Sequence, residues 1–379
     1  MRLCARPFLV AAMPLPNSFE KMKDPNKPSL PKDGIRNILL IQLGDIGDVV
    51  LTFPCIRALR ENFPEAGIVV AVREKARELI DDCAWADATI SVEQGKRGMI
   101  KQFLHQGRFF RKLRNFQFDL CIDMRTGDRG AILSFLSGAP LRFGFFEENG
   151  NCWRNRLFTH LSHKQYTPDQ YVGDYLLGLL MDHGLGTENN KPEMEVPMQR
   201  EKEAEDLLAV EMVQPHDPFV ALQPFSLWKY KEWSPEKFAQ LMDWIQKKYH
   251  LPVVLTGAPF EKERSAEITE KCVHPTVNLM GKTNIGVLSA VIKKARLFIG
   301  VDSVGMHLSG AAGTPSVTLF GPSSPVSWAP RGSEHLVVQK DMPCLPCRQK
   351  GCEGSEISRC LNDLQVEEVM QAVDRQLSQ

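Results

Sequence analysis

The fold is constrained most by residues 38–54, ILLIQLGDIGDVVLTFP, which read as a strand, a glycine turn and a helix start. The apolar run at 38–41 is typical of a strand, and an apolar pattern with helical spacing begins directly after Asp48. Such a turn lies at the carboxyl end of a parallel strand, where ligands of doubly wound folds bind. Gly44 and Gly47 let the backbone turn sharply or approach a ligand. Asp48 is placed at the helix N-cap, so it is a cap or a site residue, and both interpretations stay open.

Strand and helix patterns alternate along the chain, which predicts parallel sheets with helices on both faces. In the first half, residues 67–72 and 118–124 are strand candidates with helical patterns between them. Polar residues and prolines over 184–197 predict a linker, and the alternation starts again at residue 219. A chain of 379 residues also exceeds what one hydrophobic core usually holds. We therefore expect an α/β protein with two doubly wound domains.

The second half repeats the pattern of the first. Its predicted strands are residues 219–224, 252–257, 276–280, 296–301 and 316–320, and its predicted helices are 234–249, 260–272, 285–295 and 303–313. A last amphipathic helix is predicted over 365–377. The expected organisation is a flexible tail over 1–34, an N-terminal domain over 35–190, a C-terminal domain over 191–364 and a final helical segment over 365–379.

Composition excludes several classes of protein. The formal net charge is zero, which argues against a nucleic-acid binder. No run approaches 18 apolar residues, so a membrane-spanning helix is not expected. The apolar patch at 8–13 is short for a signal peptide, so secretion is not expected either. One local imbalance exists: residues 95–156 contain twelve Lys and Arg against five acids, typical of a solvated surface or of an anionic partner.

Two stretches of the second half place polar groups after strands. Lys229 and Lys231 follow the strand at 219–224, where a lysine is a solvated charge or a contact to a phosphate. Asp302 and Ser303 follow the strand at 296–301. A helix that begins just after Ser303 would direct its unpaired N–H groups and positive dipole end at the crevice, which is a ready anion site. His307 falls on the first turn of that helix and is a ligand contact or an ordinary helix histidine.

These stretches, in this order, resemble glycosyltransferase family 9, whose best known members are bacterial ADP-heptose:lipopolysaccharide heptosyltransferases. Residues 44–54 resemble the family's glycine-aspartate motif, 231–238 its Lys-x-Trp element and 302–322 its signature block. The likeness extends from about residue 35 to the C-terminus. It implies the GT-B fold, with two Rossmann-like domains facing across a cleft, and inverting sugar transfer without a metal.

The resemblance also implies roles for single residues. Asp48 matches the general base, Lys231 the lysine at the donor diphosphate, and Asp302 the acid that contacts the donor sugar or nucleotide. Neighbouring donor contacts match Ser303 and His307, and Glu261 matches the ribose contact. One departure is that the Asp-Ser pair is followed by Val304 and only then by Gly305, where the family has glycine directly. The identity of the donor sugar therefore stays open.

The implied partners are a nucleotide-sugar donor, with ADP-heptose favoured, and an anionic acceptor made of lipid A and core oligosaccharide. Such an acceptor gives the basic segment at 95–156 a use, and no nucleic-acid partner is expected. The implied location is cytoplasmic, in peripheral contact with the inner face of the inner membrane. Two alternatives stay open: a nucleotide-sugar-binding protein without catalysis, and a transferase of the same family with another donor. A dehydrogenase is disfavoured because no Gly-x-Gly-x-x-Gly follows any predicted strand.

Four cysteines cluster near the C-terminus with the spacing C-x2-C-x4-C-x7-C: Cys344, Cys347, Cys352 and Cys360. Four thiolates at this spacing suit tetrahedral zinc or an iron–sulfur cluster, and free thiols or disulfides are the alternatives. Because the cluster lies far in sequence from the transfer motifs, we interpret it as a structural staple of the C-terminal loop. Transfer itself is expected to require no cofactor.

Overall fold

The computed structural model describes residues 33–92, 111, 113–148 and 153–378. Nearly all of the expected N-terminal tail, and five of the twelve basic residues counted between 95 and 156, lie outside these ranges. The chain divides into two compact units, with the boundary between Pro192 and Glu193. No helix in the described ranges is long and apolar enough to cross a membrane.

The N-terminal unit is built on a parallel sheet with the strand order β3-β2-β1-β4-β5-β6. The strands are β1 Asn37–Gln42, β2 Gly67–Arg73, β3 Ala88–Val92, β4 Leu120–Asp123, β5 Leu141–Phe145 and β6 His160–Ser162. The helices with described bounds are α1 Ile46–Val50, α2 Phe53–Asn62, α3 Arg77–Asp81, α4 Asp128–Ser137 and α5 Val172–Met181. The chain winds outward from β1 in one direction and from β4 in the other, so the switch point of the sheet lies between these two neighbours.

The central strand β1 explains why this sheet forms. Residues 38–41 are fully buried because helices cover both faces, which is why a continuous apolar run marks the strand instead of an alternating one. In register, Ile38 lies opposite Ile68 of β2 on one side and Leu120 of β4 on the other. The carboxyl ends of β1 and β4 therefore lie side by side, and the loops that follow them meet.

The C-terminal unit has a second parallel sheet with the order β12-β11-β10-β7-β8-β9. Its strands are β7 Val220–Gln223, β8 Val253–Leu255, β9 Val277–Asn278, β10 Leu297–Val301, β11 Ser316–Phe320 and β12 His335–Gln339. Its α-helices are α6 Met198–Val210, α7 Pro235–Tyr249, α8 Ala266–Thr269, α9 Ile285–Lys294, α10 Val304–Ala312, α11 Pro325–Trp328, α12 Arg359–Asn362 and α13 Val366–Leu377. The switch point of this sheet lies between β7 and β10, the equivalents of β1 and β4.

The structure corrects the sequence-based elements at several places. The helix predicted over 260–272 is wrong, because a 3-10 helix at Pro259–Ser265 precedes the single turn of α8. The 3-10 conformation arises at the start of the segment, because the buried Glu261 carboxylate turns back and accepts a hydrogen bond from the backbone N–H of Ala258 at 2.7 Å. Four strands were not predicted from the sequence: β3, β5, β6 and β12. Of these, β3 is mostly half-buried and β6 has three residues of which only one is buried, so neither has a continuous apolar run.

Candidate active site

The predicted base, Asp48, lies at the switch point of the N-terminal sheet. The turn after β1 carries it on α1, and the loop after the neighbouring strand β4 carries Arg125. The Nη1 of Arg125 donates to the Oδ2 of Asp48 at 2.8 Å, and the backbone N–H of Asp45 donates to the same oxygen at 2.9 Å. The side chain of Asp48 is 18% exposed and that of Arg125 is 45% exposed. The site is therefore a carboxylate held by two donors and still open to solvent.

The prediction that Asp48 occupies the helix N-cap is wrong. The N-cap of α1 is Asp45, in an extended conformation, and Asp48 lies three residues further along. From this third position its carboxylate reaches back to the N–H of Asp45, as the acid of a capping box does. Capping and site geometry therefore use the same oxygen of Asp48.

Gly44 makes the Asp48–Arg125 ion pair possible. A Cβ at this position would lie 2.3 Å from the Oδ2 of Asp48 and 2.5 Å from the Nη1 of Arg125. Any side chain at residue 44 would therefore displace the pair. The sequence predicted a sharp turn or an approach to a ligand here; the structure shows a close approach to two charged side chains, and the approach to a ligand stays a prediction.

Beneath Arg125 lies a buried pair that the sequence analysis did not single out, Asp123 and Arg154. Both side chains are 1% exposed, and the Nη2 of Arg154 is 3.9 Å from the Oδ2 of Asp123. Burial raises the pKa of Asp123 to about 7, opposed by the hydrogen bond from the N–H of Arg125 and by the charge of Arg154. These residues entered the sequence analysis only as charges of the basic segment. The sequence signal for them was that Asp123 ends the strand next to β1 and Arg125 follows it, on the same edge of the sheet as Asp48.

In the C-terminal unit, the structure brings together two of the predicted donor contacts. Lys231 follows β7 in a short 3-10 helix, Lys229–Lys231, and Asp302 follows β10. Because β7 and β10 are neighbours, the Nζ of Lys231 reaches the Oδ2 of Asp302 at 2.7 Å. Asp302 is 5% exposed and Lys231 is 20% exposed. A carboxylate and a cationic side chain thus form an ion pair at the switch point of this sheet, as Asp48 and Arg125 do in the N-terminal unit.

The helix α10 begins beside this pair. Ser303 is its N-cap residue, with extended backbone, and His307 is buried with its ring 6.2 Å from that of Trp328. The N–H of Gly305 donates to the Oε1 of Gln223, at the end of β7, at 2.9 Å. A Cβ at residue 305 would lie 2.2 Å from that oxygen, so a glycine is required at 305 to pack the helix on the sheet. The departure at Val304 therefore leaves this packing glycine in place.

Glu261 is 3% exposed, and burial raises the pKa of its carboxyl group. Its Oε2 accepts from the N–H of Ala258, so the structure gives this side chain a capping role. The predicted ribose contact is not tested by this geometry and stays a prediction.

The four cysteines are unpaired thiols, with Cys344 exposed and Cys360 buried. The pKa of Cys360 is raised to about 11, chiefly by burial and to a smaller extent by the charges of Cys347, Cys352 and Cys344. Even so, within the residues that the structure describes, no group of three or more His, Cys, Asp or Glu is arranged to hold a metal ion. The thiols as placed therefore do not fit a preformed zinc or iron–sulfur site.

The cysteine segment does contact the loops that follow β11 and β7, the second of which carries Lys231. The N–H of Arg348 donates to the carbonyl of Pro322 at 2.8 Å, at the end of the predicted signature block. The hydroxyl of Ser358 donates to the carbonyl of Tyr230 at 2.6 Å, next to Lys231. A Cβ on Gly321 would lie 3.7 Å from the sulfur of Cys360. The segment therefore braces two loops at the carboxyl edge of the C-terminal sheet.

Comparison with known proteins assigns the chain to a family. The family model described as glycosyltransferase family 9 (heptosyltransferase) matches residues 106–357. The chain belongs to this family. Among curated relatives of this glycosyltransferase, lipopolysaccharide heptosyltransferase 3 of Escherichia coli K12 is 27% identical over 294 residues, which cover 75% of this chain and 82% of that protein.

Solved structures of family 9 glycosyltransferases share the fold. The glycosyl transferase family 9 protein from Veillonella parvula aligns with a TM-score of 0.78 and 22% identity, over 90% of this chain and 97% of that one. The E. coli heptosyltransferase WaaC, solved with ADP-2-deoxy-2-fluoro heptose, aligns with a TM-score of 0.66 and 17% identity, over 89% and 99%. The family and the GT-B fold class indicated by the sequence are confirmed.

Proposed function

We propose that this family 9 glycosyltransferase moves a heptose, or a related sugar, from a nucleotide-diphosphate sugar to a lipopolysaccharide core acceptor. The observation that carries the proposal is the Lys231–Asp302 pair beside the start of α10, at the switch point of the C-terminal sheet. The curated relative is named for heptose transfer to lipopolysaccharide, and WaaC was solved with an ADP-heptose analogue. Both support ADP-heptose as the first donor to test.

The C-terminal half-site supplies what the leaving group needs. When the bond between the anomeric carbon and the donor phosphate breaks, negative charge develops on the leaving diphosphate. The ammonium of Lys231 and the N-terminus of α10 are positive and already in place, so they stabilise that charge without reorganising. Asp302 holds Lys231 and contacts the donor sugar or nucleotide, with Ser303, His307 and Glu261 as further donor contacts.

The N-terminal half-site supplies the base. The acceptor hydroxyl forms its bond to the anomeric carbon as the phosphate leaves, and its proton passes to the carboxylate of Asp48. A single displacement of this kind inverts the anomeric centre. The negative charge of Asp48 and the positive charge of Lys231 come from the chain itself, so no metal is needed. The arginines of this unit, Arg73 and Arg129 among them, suit an anionic lipid A and core acceptor. We accordingly place the enzyme in the cytoplasm, in peripheral contact with the inner face of the inner membrane.

Donor screening is the first test. ADP-heptose is expected to raise the Tm of the protein more than UDP-sugars or GDP-sugars do, because ligand binding to the folded state alone stabilises it. With an acceptor of lipid A and inner core, NMR of the product is expected to show an anomeric configuration opposite to that of the donor. Transfer from another nucleotide sugar would select the alternative donor, and donor binding without product from any lipid acceptor would favour a non-catalytic binder. Retention of configuration would contradict direct displacement.

Metal independence has its own measurement. Transfer rates are expected to be unchanged in EDTA, because Lys231 and α10 already supply the positive charge at the diphosphate. Zinc and iron are to be measured in the same protein, prepared anaerobically. Loss of activity in EDTA that Mg²⁺ restores would show that the transfer requires a metal. Stoichiometric zinc or iron, lost when Cys344 and Cys347 are replaced by Ser, would establish a structural site that forms from the thiols by rearrangement.

A further inference from the structure

We infer that Arg125 is a positioning residue for Asp48, and that the buried Asp123–Arg154 pair holds Arg125 in place. The inference rests on the proposed role of Asp48 as the base. The sequence motifs of the family did not indicate Arg125, Asp123 or Arg154. All three lie at the carboxyl edge of β4 or against it; Asp123 and Arg154 contact Arg125, and Arg125 contacts Asp48.

The hydrogen bonds of Asp48 distinguish its two oxygens. The Oδ2 accepts from both the guanidinium of Arg125 and the N–H of Asp45, at 2.8 and 2.9 Å. No donor of the described ranges bonds to Oδ1. Two donors from different loops fix the plane of the carboxylate, so the remaining oxygen is aimed and free to take a proton. A base that reacts with a bound hydroxyl needs this orientation, since a misplacement of about 1 Å costs about 100-fold in rate.

Arg125 is itself held at both backbone polar groups. Its N–H donates to the Oδ1 of Asp123 at 3.2 Å, and its carbonyl accepts from the Nη2 of Arg154 at 2.9 Å. Arg154 is fixed in turn, because its Nη1 donates to the carbonyl of Phe145 at 2.8 Å and its guanidinium lies over the ring of Phe158. The loop after β4 is therefore tied to the interior at both backbone groups of Arg125, the residue through which this loop contacts Asp48.

The packing of α4 leaves room for the clamp, as we name the Asp123–Arg154 pair with its hydrogen bonds to the backbone of Arg125. A Cβ on Gly130 would lie 2.3 Å from the Oδ1 of Asp123, so only glycine lets the first turn of α4 approach that carboxylate. Two ionisable groups at 1% exposure are costly to bury, and an apolar pair of similar volume is often as stable or more stable. The function of the Asp123–Arg154 pair is then to fix the direction of Arg125, which an apolar pair cannot do.

Arg125 also lines a cavity of about 290 Å³ together with Arg73 and Arg129, which offers a competing role as a contact to an anionic acceptor. Kinetics distinguish the two roles. Loss of a positioning residue lowers kcat and leaves the acceptor KM near its original value, whereas loss of an acceptor contact raises the acceptor KM. The geometry favours the first role because the guanidinium is already bonded to Asp48.

The test uses the full-length enzyme with saturating donor and varied acceptor. We expect Arg125→Met to lower kcat about 10- to 100-fold with little change in the KM of either substrate. Arg125→Lys keeps the charge and one donor, and is expected to recover part of the loss. Asp123→Asn keeps an oxygen for the N–H of Arg125 but removes the ionisable carboxyl group facing Arg154, so a smaller fall in kcat is expected. The matched control is Arg77→Met, which removes an exposed arginine paired with Asp81 on the same unit.

Donor binding and Tm measured on every variant separate orientation from folding. Unchanged kcat in Arg125→Met, or a change confined to the acceptor KM, would overturn the positioning role. An Asp123→Asn enzyme that folds and turns over like the wild type would overturn the clamp. Failure of the proposed base is recognised separately, because it appears as activity in a variant of Asp48 whatever the result at Arg125.

Discussion

Replacing Asp48 by Asn is expected to lower kcat by about 10²- to 10⁴-fold, the range found when a general base is removed. The amide has the shape of the carboxylate, and its oxygen can still accept from the N–H of Asp45 and from Arg125. It cannot take the proton of the acceptor hydroxyl. The residues proposed to bind the donor lie in the other unit of the chain, so the Kd for the nucleotide sugar is expected to remain close to that of the wild type. Initial rates and calorimetric donor binding measure the two quantities.

The same substitution has a second consequence that must be separated from catalysis. The carboxylate at the third position of α1 also interacts favourably with the helix N-terminus, so its loss costs about 0.3 to 1 kcal/mol of stability. An enzyme that is fully folded at the assay temperature does not lose rate for that reason. Asp81→Asn, at an exposed ion pair with Arg77, provides the control. A fully active Asp48→Asn enzyme would show that another group takes the proton.

The two sheets share a plan that the sequence revealed only in part. In each sheet the switch point lies between the first strand and the fourth, and an ion pair connects the loops that follow these two strands. The pairs are Asp48 with Arg125 and Lys231 with Asp302. The sequence singled out Asp48, Lys231 and Asp302 because they follow predicted strands near a glycine, a proline or a helix start, and the resemblance to family 9 implied their roles. It predicted the doubly wound class for the related reason that continuous apolar runs alternate with amphipathic stretches.

The sequence did not predict which charged side chains pair with one another, because the paired residues are far apart in the chain and close only in the folded structure. Arg125 lies 77 residues from Asp48, and Lys231 lies 71 residues from Asp302, so only the strand order shows that these side chains meet. Asp123 and Arg154 could not be recognised from the sequence, because charged residues of a buried ion pair look the same in a sequence as charged residues of a solvated surface. The N-cap assignment of Asp48 failed on a local detail, since α1 begins at Ile46 and the capping bond runs backward from its third residue.

Replacing Lys231 by Met is expected to lower kcat by about 10²- to 10³-fold, comparable with removing one preorganised group that stabilises developing negative charge. The methionine keeps the apolar stem and removes the ammonium that faces the leaving diphosphate. Donor affinity is also expected to fall, because the ground-state diphosphate is already anionic. Lys229→Met is the matched control, because it removes a lysine from the same 3-10 helix that is not the partner of Asp302.

The Lys231→Met variant could also lose activity because it is less stable, and a double variant separates this effect from catalysis. Asp302 is 5% exposed beside Lys231, so loss of the ammonium removes the partner of a buried carboxylate, and breaking a buried pair costs up to about 3 to 5 kcal/mol. In the double variant Lys231→Met, Asp302→Asn, the residue at 302 is neutral, so Tm is expected to recover toward the wild type. Turnover is expected to stay low, because the positive charge at the diphosphate is still missing. If turnover recovered together with Tm, the contribution of Lys231 would be to folding, and the charge on the leaving group would have to be stabilised by α10 alone.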